Sequence, residues 1–375
     1  MKGIRTFVVR AFIVCVLCSC SIEFDQYPTV APTPKTTSSA TGTDRTAFPD
    51  ADVTKIPITW SDLNLTGRLF FVNTSDDNPA SSLKNIQVLD LATGEISTLF
   101  SSTQGAWIFY MDISPDGKQA VISYIDPSNP TASSNRALYI VPLGTDSPHQ
   151  LLFQPPTEND HYTQAEWSPD GNYVYYSHYN GAEQPLANLT PDYEIFRMKY
   201  PEGQPEKIID HAFWPRLSSD STHLVYVALD PESGENSLSI ANADGSDPRQ
   251  IVLSGINGSV IFDAPVFSPD GQSIFFSMSN TAQSYQPNWW DKLMGVQIVK
   301  AHSVPSDWWS VSVEGGVPSQ LTQLNTENLF ADISPDKKHI VSTSEECLFV
   351  MELDGSNLNQ LLSDPGIYGT VRWMP

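Results

Sequence analysis

Cysteine is nearly missing from this 375-residue chain, which has four: Cys15, Cys18, Cys20 and Cys347. Three of them crowd into the first 20 residues, so the rest of the chain cannot hold an intramolecular disulfide. Basic side chains are scarce too, 20 against 43 acidic ones, for a formal net charge of −23. Such a surface repels phosphate backbones and anionic headgroups, which excludes nucleic acid as a partner. The apolar run "AFIVCVLC" (11–18) falls well short of the roughly 18 residues that a membrane-spanning helix needs. Charged residues make up only 17 % of the chain, whereas Pro and Gly number 29 and 21. That mixture builds many turns and short strands rather than long helices. With 40 % apolar and 11 % aromatic residues, a large core remains affordable.

What is present begins with "MKGIRTFVVR", which carries Lys2, Arg5 and Arg10 and no acid. Followed by the short apolar run, it reads as the front of a secretory signal, residues 1–19. The next residues, "LCSC" (17–20), resemble a bacterial lipobox, and the resemblance implies that Cys20 becomes an acylated first residue after cleavage. The expected location is the cell envelope, at the outer face of the bacterial cell membrane, with the lipid as the only membrane attachment. The mature chain would keep 17 basic and all 43 acidic side chains. Residues 20–61 are dominated by Pro, Thr and Ser without an apolar period, as in "YPTVAPTPKTTSSATGTDRTAFPDADVTKIP". This segment is expected to be a tether, which spans roughly 30 Å if flexible. Cys347, ahead of "LFVMEL", is expected to be a small buried apolar residue.

From about residue 62 the chain repeats. "ISPDGKQAVI" (113–122), "WSPDGNYVYY" (167–176), "LSSDSTHLVY" (217–226), "FSPDGQSIFF" (267–276) and "ISPDKKHIVS" (333–342) are near-copies, aligned on Ser114, Ser168, Ser218, Ser268 and Ser334. A truncated sixth copy, "VRWMP", puts Met374 at the serine position. The steps between them are 54, 50, 50, 66 and 40 residues, and fixed periods near 40 to 50 residues point to a propeller. The residue before the serine is always large and apolar: Ile113, Trp167, Leu217, Phe267, Ile333 and Trp373. Alternation on either side predicts a strand before the turn and a strand after it. In the turn itself, Pro presets φ, Asp suits the third position, and Gly takes the left-handed conformation that closes a hairpin. "SPDG" is therefore a corner, and its aspartates are turn residues. Each unit continues with two further strands, giving the four of a propeller blade. The first unit, "GRLFFVN", "NIQVLDLATG" and "EISTLF", has only three. The C-terminal strand "GTVRWMP" supplies the missing one, so residues 62–375 form an all-β, six-bladed propeller whose blade 1 is closed from both chain ends. Closure removes exposed sheet edges, and a monomer is expected.

The repeats "ISPDGKQAVIS", "EWSPDGNYVYYS" and "VFSPDGQSIFFS" and the strand "IQVLDLATGE" resemble the WD40-like PD40 repeats of the TolB-type six-bladed β-propeller. Proteins of that type carry a further N-terminal domain, where this chain has the tether. Propellers of the dipeptidyl-peptidase IV and prolyl-oligopeptidase families are also similar, but they depend on a hydrolase domain with a Ser-Asp-His triad. No G-x-S-x-G, H-E-x-x-H, phosphate-loop or paired-cysteine metal motif stands in this sequence. No cofactor or metal is expected.

Three groups remain as site candidates. Seven residues before each serine stand Trp107, His161, His211, Ile261, Glu327 and Ile367. His161 and His211 come from adjacent blades near the channel mouth and, with Glu327, could hold an anion or a metal, or remain ordinary loop residues. The insertion "TAQSYQPNWWDKLMGVQIVKAHSVP" (281–305) contains a helix-like "NWWDKLMG" with Trp289 and Trp290, and also His302. Its aromatics suit a protein partner or sugar stacking, or pack as a lid. Two residues before each serine stand Asp112, Glu166, Arg216, Val266, Asp332 and Arg372, expected to meet as ion pairs between blades in the channel. The expected function is a binding module for a protein, peptide or glycan. The alternative is a lyase or hydrolase that uses the mouth histidines.

Overall fold

The computed structural model describes residues 53–74, 83–126, 135–145, 147–157, 159–180, 192–256, 260–280, 305–344 and 347–375, all within one compact unit, Ala47–Pro375. Cys20, Trp289, Trp290 and His302 lie outside the described residues. Six antiparallel sheets form the blades of a propeller. The inner strands are Ile367–Met374, Trp107–Ile113, Asp160–Trp167, Ala212–Leu217, Val260–Phe267 and Phe330–Ile333 for blades 1 to 6. Blade 1 joins Ile367–Met374 to Arg68–Thr74, with Leu69 opposite Trp373 and Phe71 opposite Val371. The last strand of the chain thus pairs with the first long one.

The turn chemistry holds each inner strand to the next. In blade 2 the Gly117 N–H donates to the Ser114 carbonyl at 2.8 Å, with Gly117 at φ +72°. The Ser114 hydroxyl donates to Asp116 (2.7 Å) and accepts from the Gln119 N–H (3.0 Å). The same bonds recur around Ser168, Ser218, Ser268 and Ser334. They draw the turn aspartates, Asp116, Asp170, Asp220 and Asp270 among them, below the usual carboxylate range.

Apolar residues of period two interlock between blades. Trp167, Tyr176, Phe276, Trp308 and Tyr124 are among the largest fully buried side chains. The Trp308 indole also donates to the Ser342 hydroxyl of blade 6 at 2.8 Å.

Two expectations need correction. The boundary at 61/62 is too late. Val53–Lys55 adds a fifth strand to the outer edge of blade 1, paired with Glu95–Ser97. Trp60 is buried and its indole N–H donates to the Leu91 carbonyl at 2.9 Å. A three-residue strand in a Pro- and Thr-rich stretch carries no periodic signal, which is why composition alone assigned it to the tether. Cys347 is half-buried rather than buried, because it opens the strand Cys347–Glu352 at the blade's end.

Candidate binding site at the channel mouth

Two layers of side chains close the channel, and both come from the register of the inner strands. Four residues before the serines stand Tyr110, Gln164, Trp214, Ala264, Phe330 and, in blade 1, Thr370. Large and small alternate. The three large rings, from blades 2, 4 and 6, meet: Tyr110–Trp214 at 5.3 Å, Trp214–Phe330 at 5.5 Å and Tyr110–Phe330 at 6.2 Å between centroids. Bulges interrupt the pairing of the inner strands here, and Gln164, Trp214 and Ala264 take positive φ of 52°, 65° and 46°. A bulge re-aims a side chain, and this one sends Trp214 into the rings of blades 2 and 6. The Trp214 N–H is held by Gln164 Oε1 and by the Ser177 hydroxyl, each at 3.0 Å.

The second layer lies two residues further along. Arg372 sits between Asp112 (3.4 Å) and Asp332 (3.3 Å). Arg216 reaches Glu166 (3.7 Å) in the neighbouring blade and Asp332 (3.3 Å) past the short Val266 of blade 5. Each acid also caps the next blade. Asp112 accepts the Trp167 N–H at 2.7 Å, Glu166 the Leu217 N–H at 3.4 Å, and Asp332 the Trp373 N–H at 2.7 Å. Three carboxylates face two guanidiniums, so the ring is one positive charge short. Burial, with Asp112 adding to it, pushes Glu166 up to about 7, and burial raises Asp112 as well. Between the layers lies a cavity of about 30 Å³, lined by Met111, Gln164, Glu166, Trp214 and Arg216 among others. That is room for one or two waters at most.

The mouth lies on the other side of the rings, where the inner strands begin. His161 pairs across its blade with Tyr179, and the two rings stack at 5.7 Å. The ladder continues from Tyr179 to Tyr193 (4.9 Å) and from Tyr193 to Phe213 of blade 4 (4.9 Å). His161 Nδ1 accepts the Arg136 N–H at 3.2 Å, so the neutral ring carries its proton on Nε2. Burial and the Arg136 charge depress its pKa to about 4. The Arg136 guanidinium lies 4.0 Å from the centre of the Phe109 ring, and Lys84 lies 4.3 Å from that of Trp107. At the same end of blade 3, His178 is clamped between Asp160 (2.9 Å) and Glu194 (3.0 Å), and Lys207 joins Glu194 to Asp210 (2.9 and 2.7 Å).

His161 and His211 occupy equivalent strand starts but have separate partners. His211 is exposed and lies 3.6 Å from Asp192. Glu327 is half-buried on the loop before blade 6, and among the described residues no ion pair joins it to either histidine. Nor do any three His, Cys, Asp or Glu among the described residues form a group that could hold a metal. Arg136, Tyr179, Tyr193 and His178 were not singled out by sequence reasoning. They sit at strand ends, where no periodic or motif signal marks them.

No protein-family model and no curated protein matches the chain. Solved structures do. TolB from Acinetobacter baumannii is 17 % identical with a TM-score of 0.55, over 82 % of this chain and 65 % of that one. A putative TolB from Agrobacterium tumefaciens is 16 % identical with a TM-score of 0.52, over 83 % of this chain and all of that one. The hydrazine synthase of Kuenenia stuttgartiensis is 12 % identical with a TM-score of 0.55, over 81 % of this chain and 46 % of that one. At these identities the likeness is one of fold, the six-bladed propeller.

Proposed function

We propose that the chain is an extracytoplasmic binding module whose channel mouth takes a segment of a protein or peptide. One observation carries this reading: the rings of Tyr110, Trp214 and Phe330 close the channel beneath a mouth lined with aromatic rings and hydrogen-bonding groups. A closed funnel offers a floor and walls to an inserted segment and no passage through the molecule. The propeller fold shared with the TolB structures leaves the function to be read from the site itself. The test is a photo-reactive residue at Tyr179, in the mouth, against one at Asp270, in a turn at the opposite end of the blades. Crosslinking in the native envelope should give a protein adduct from position 179. Adducts from position 270 alone would overturn the placement.

The enzyme alternative requires the mouth histidines to act together. Their separate partners, the Arg136 N–H and Asp192, favour the binding reading. Residues 1–19 as a lipoprotein signal, Cys20 as the acylated residue and the following segment as a tether complete the proposal, supported by "LCSC" behind the apolar run. Membrane fractionation checks the anchor. Cys20→Ala should leave the protein unprocessed or free of the membrane, and normal processing with full membrane retention would refute it.

A further inference from the structure

We infer that Arg136 is the anchor of this mouth and that it takes a carboxylate of the bound peptide. The inference rests on the binding reading above and narrows it to a ligand chemistry. In a chain with 43 acidic and 20 basic side chains, arginines find carboxylates readily. Arg197 holds Glu206, Arg249 reaches Glu314, and Arg216 and Arg372 share the channel acids. Arg68 reaches the terminal Pro375 oxygen. Among the described residues Arg136 alone of the arginines has neither. Its guanidinium lies against the Phe109 ring, half-exposed at the start of the third strand of blade 2.

An arginine laid on an aromatic face keeps its in-plane N–H donors free for a planar acceptor. The fork matches a carboxylate with two parallel hydrogen bonds. The Phe109 ring also fixes the guanidinium before binding, which reduces the ordering cost. His161 supports the same polarity. Its Nδ1 is occupied by the Arg136 backbone, so its Nε2–H is a second donor, without a hydrogen-bond partner among the described residues. Burial raises the Tyr110 and Tyr193 hydroxyls, and beside it the Arg136 charge lowers both and the Asp263 charge raises both, so the two charges lie near the same rings. Asp263 comes from blade 5, is buried, and accepts the Ala264 N–H. A ligand's carboxylate therefore belongs on the Arg136 side of these rings, away from the buried Asp263.

The aromatic rings favour a peptide over a sugar. Stacking a sugar needs free ring surface, and among the described mouth rings Phe109 is covered on one face by Arg136, Trp107 by Lys84, and Tyr179 by Tyr193 and His161. What stays available is a set of donors around one cation, which fits a main-chain or side-chain carboxylate.

The test uses the full chain, immobilised, and three pools of N-acetylated random octapeptides. One pool lacks Asp and Glu and has a free C-terminus. The second is the same pool amidated. The third is amidated and contains Glu. Retention of the first pool alone identifies a C-terminal carboxylate, and retention of the third identifies a side-chain carboxylate; either supports the inference. In Arg136→Gln the retained peptides should bind roughly 10- to 100-fold more weakly, the loss expected for a charge-assisted hydrogen bond. The variant should melt with the wild type, since its backbone N–H still reaches His161. Arg136→Lys should recover only part of the affinity. Equal retention of the amidated acid-free pool, or unchanged affinity in Arg136→Gln, overturns the carboxylate anchor and leaves peptide binding standing. Retention of no peptide pool, with acidic oligosaccharides retained instead, overturns the peptide reading and the anchor's ligand with it.

Discussion

Burial holds the Glu166 carboxyl near pH 7 although Arg216 lies 3.7 Å away. Two neighbouring acids and only two arginines leave its charge incompletely balanced, and Glu166 Oε2 makes no hydrogen bond. A carboxyl with a raised folded pKa costs stability as it ionises. Below the unfolded value of about 4.3 both states are protonated and the group contributes nothing. Between there and about 7 the folded state holds its proton more tightly, so stability falls as pH rises. Asp112, also raised, pushes in the same direction. The turn aspartates are depressed instead, Asp220 to about 2 by the Ser218 and Thr222 hydroxyls. Their contribution is present above about 4 and is lost below that. The two windows barely overlap. Calorimetry of the wild type and Glu166→Gln from pH 5 to 8 therefore has a clear expectation. The wild-type melting temperature should decline across the range, and the variant's should decline less and lie higher at pH 8. Gln retains the oxygen that accepts the Leu217 N–H. Parallel profiles would show that the proton resides elsewhere.

At the scale of the element, the five turns form a natural substitution series. Gly117, Gly171 and Gly271 adopt φ of 72°, 74° and 70°, and the same position is Ser221 (60°) in blade 4 and Lys337 (62°) in blade 6. A side chain there costs about 1–2 kcal/mol in backbone strain, while glycine returns about 0.5–1 kcal/mol of that to the unfolded chain. Ser221→Gly and Lys337→Gly should each stabilise by about 0.5–1 kcal/mol in urea unfolding, and the pair should add because different blades carry them. Gly271→Ala should do the reverse, with no clash to complicate it, since nothing stands within 4 Å of the added carbon. These turns were legible as sequence because Ser, Pro, Asp and Gly each answer a local demand. The charged ring was legible for the same reason, since period-two alternation puts Asp112 and its counterparts at one level. The reach of Arg216 to Asp332 was not, because it depends on the width of the channel and the shortness of Val266. The ring closure by Trp214 was hidden as well. It needs a bulge with positive φ, and nothing local distinguishes Trp214 from a core tryptophan such as Trp167. The mouth histidines show the limit of repeat alignment, which identifies equivalent positions but not the partners, Arg136 and Asp192, that separate them.

At the scale of the molecule, ring closure depends on a single strand. Ile367–Met374 is the inner strand of blade 1, and it contributes to three levels at once. Trp373 is buried in the blade 1 core and donates its indole N–H to the Thr66 carbonyl at 2.9 Å. Arg372 joins Asp112 of blade 2 to Asp332 of blade 6. Thr370 exchanges hydrogen bonds with the backbone of Met111, at 2.8 and 2.6 Å, while the Gly369 carbonyl accepts from Thr343 of blade 6. Removing residues 366–375 deletes all of these together. Loss of one large core aromatic costs about 3–5 kcal/mol by itself. The deletion also leaves Asp112 and Asp332 without Arg372 in a buried ring, a further penalty for uncompensated charge. Finally it exposes the edge of Arg68–Thr74, a seven-residue strand with five buried residues, to pairing with other chains. The truncated protein should therefore lose its cooperative melting transition or aggregate, whereas the double change Trp373→Phe, Arg372→Met should weaken a ring that still closes. Size-exclusion chromatography and calorimetry on both separate the two effects. If the truncated chain stays monomeric and melts within a few degrees of the full one, the ring is held by its other five blades and the terminal strand is a passenger.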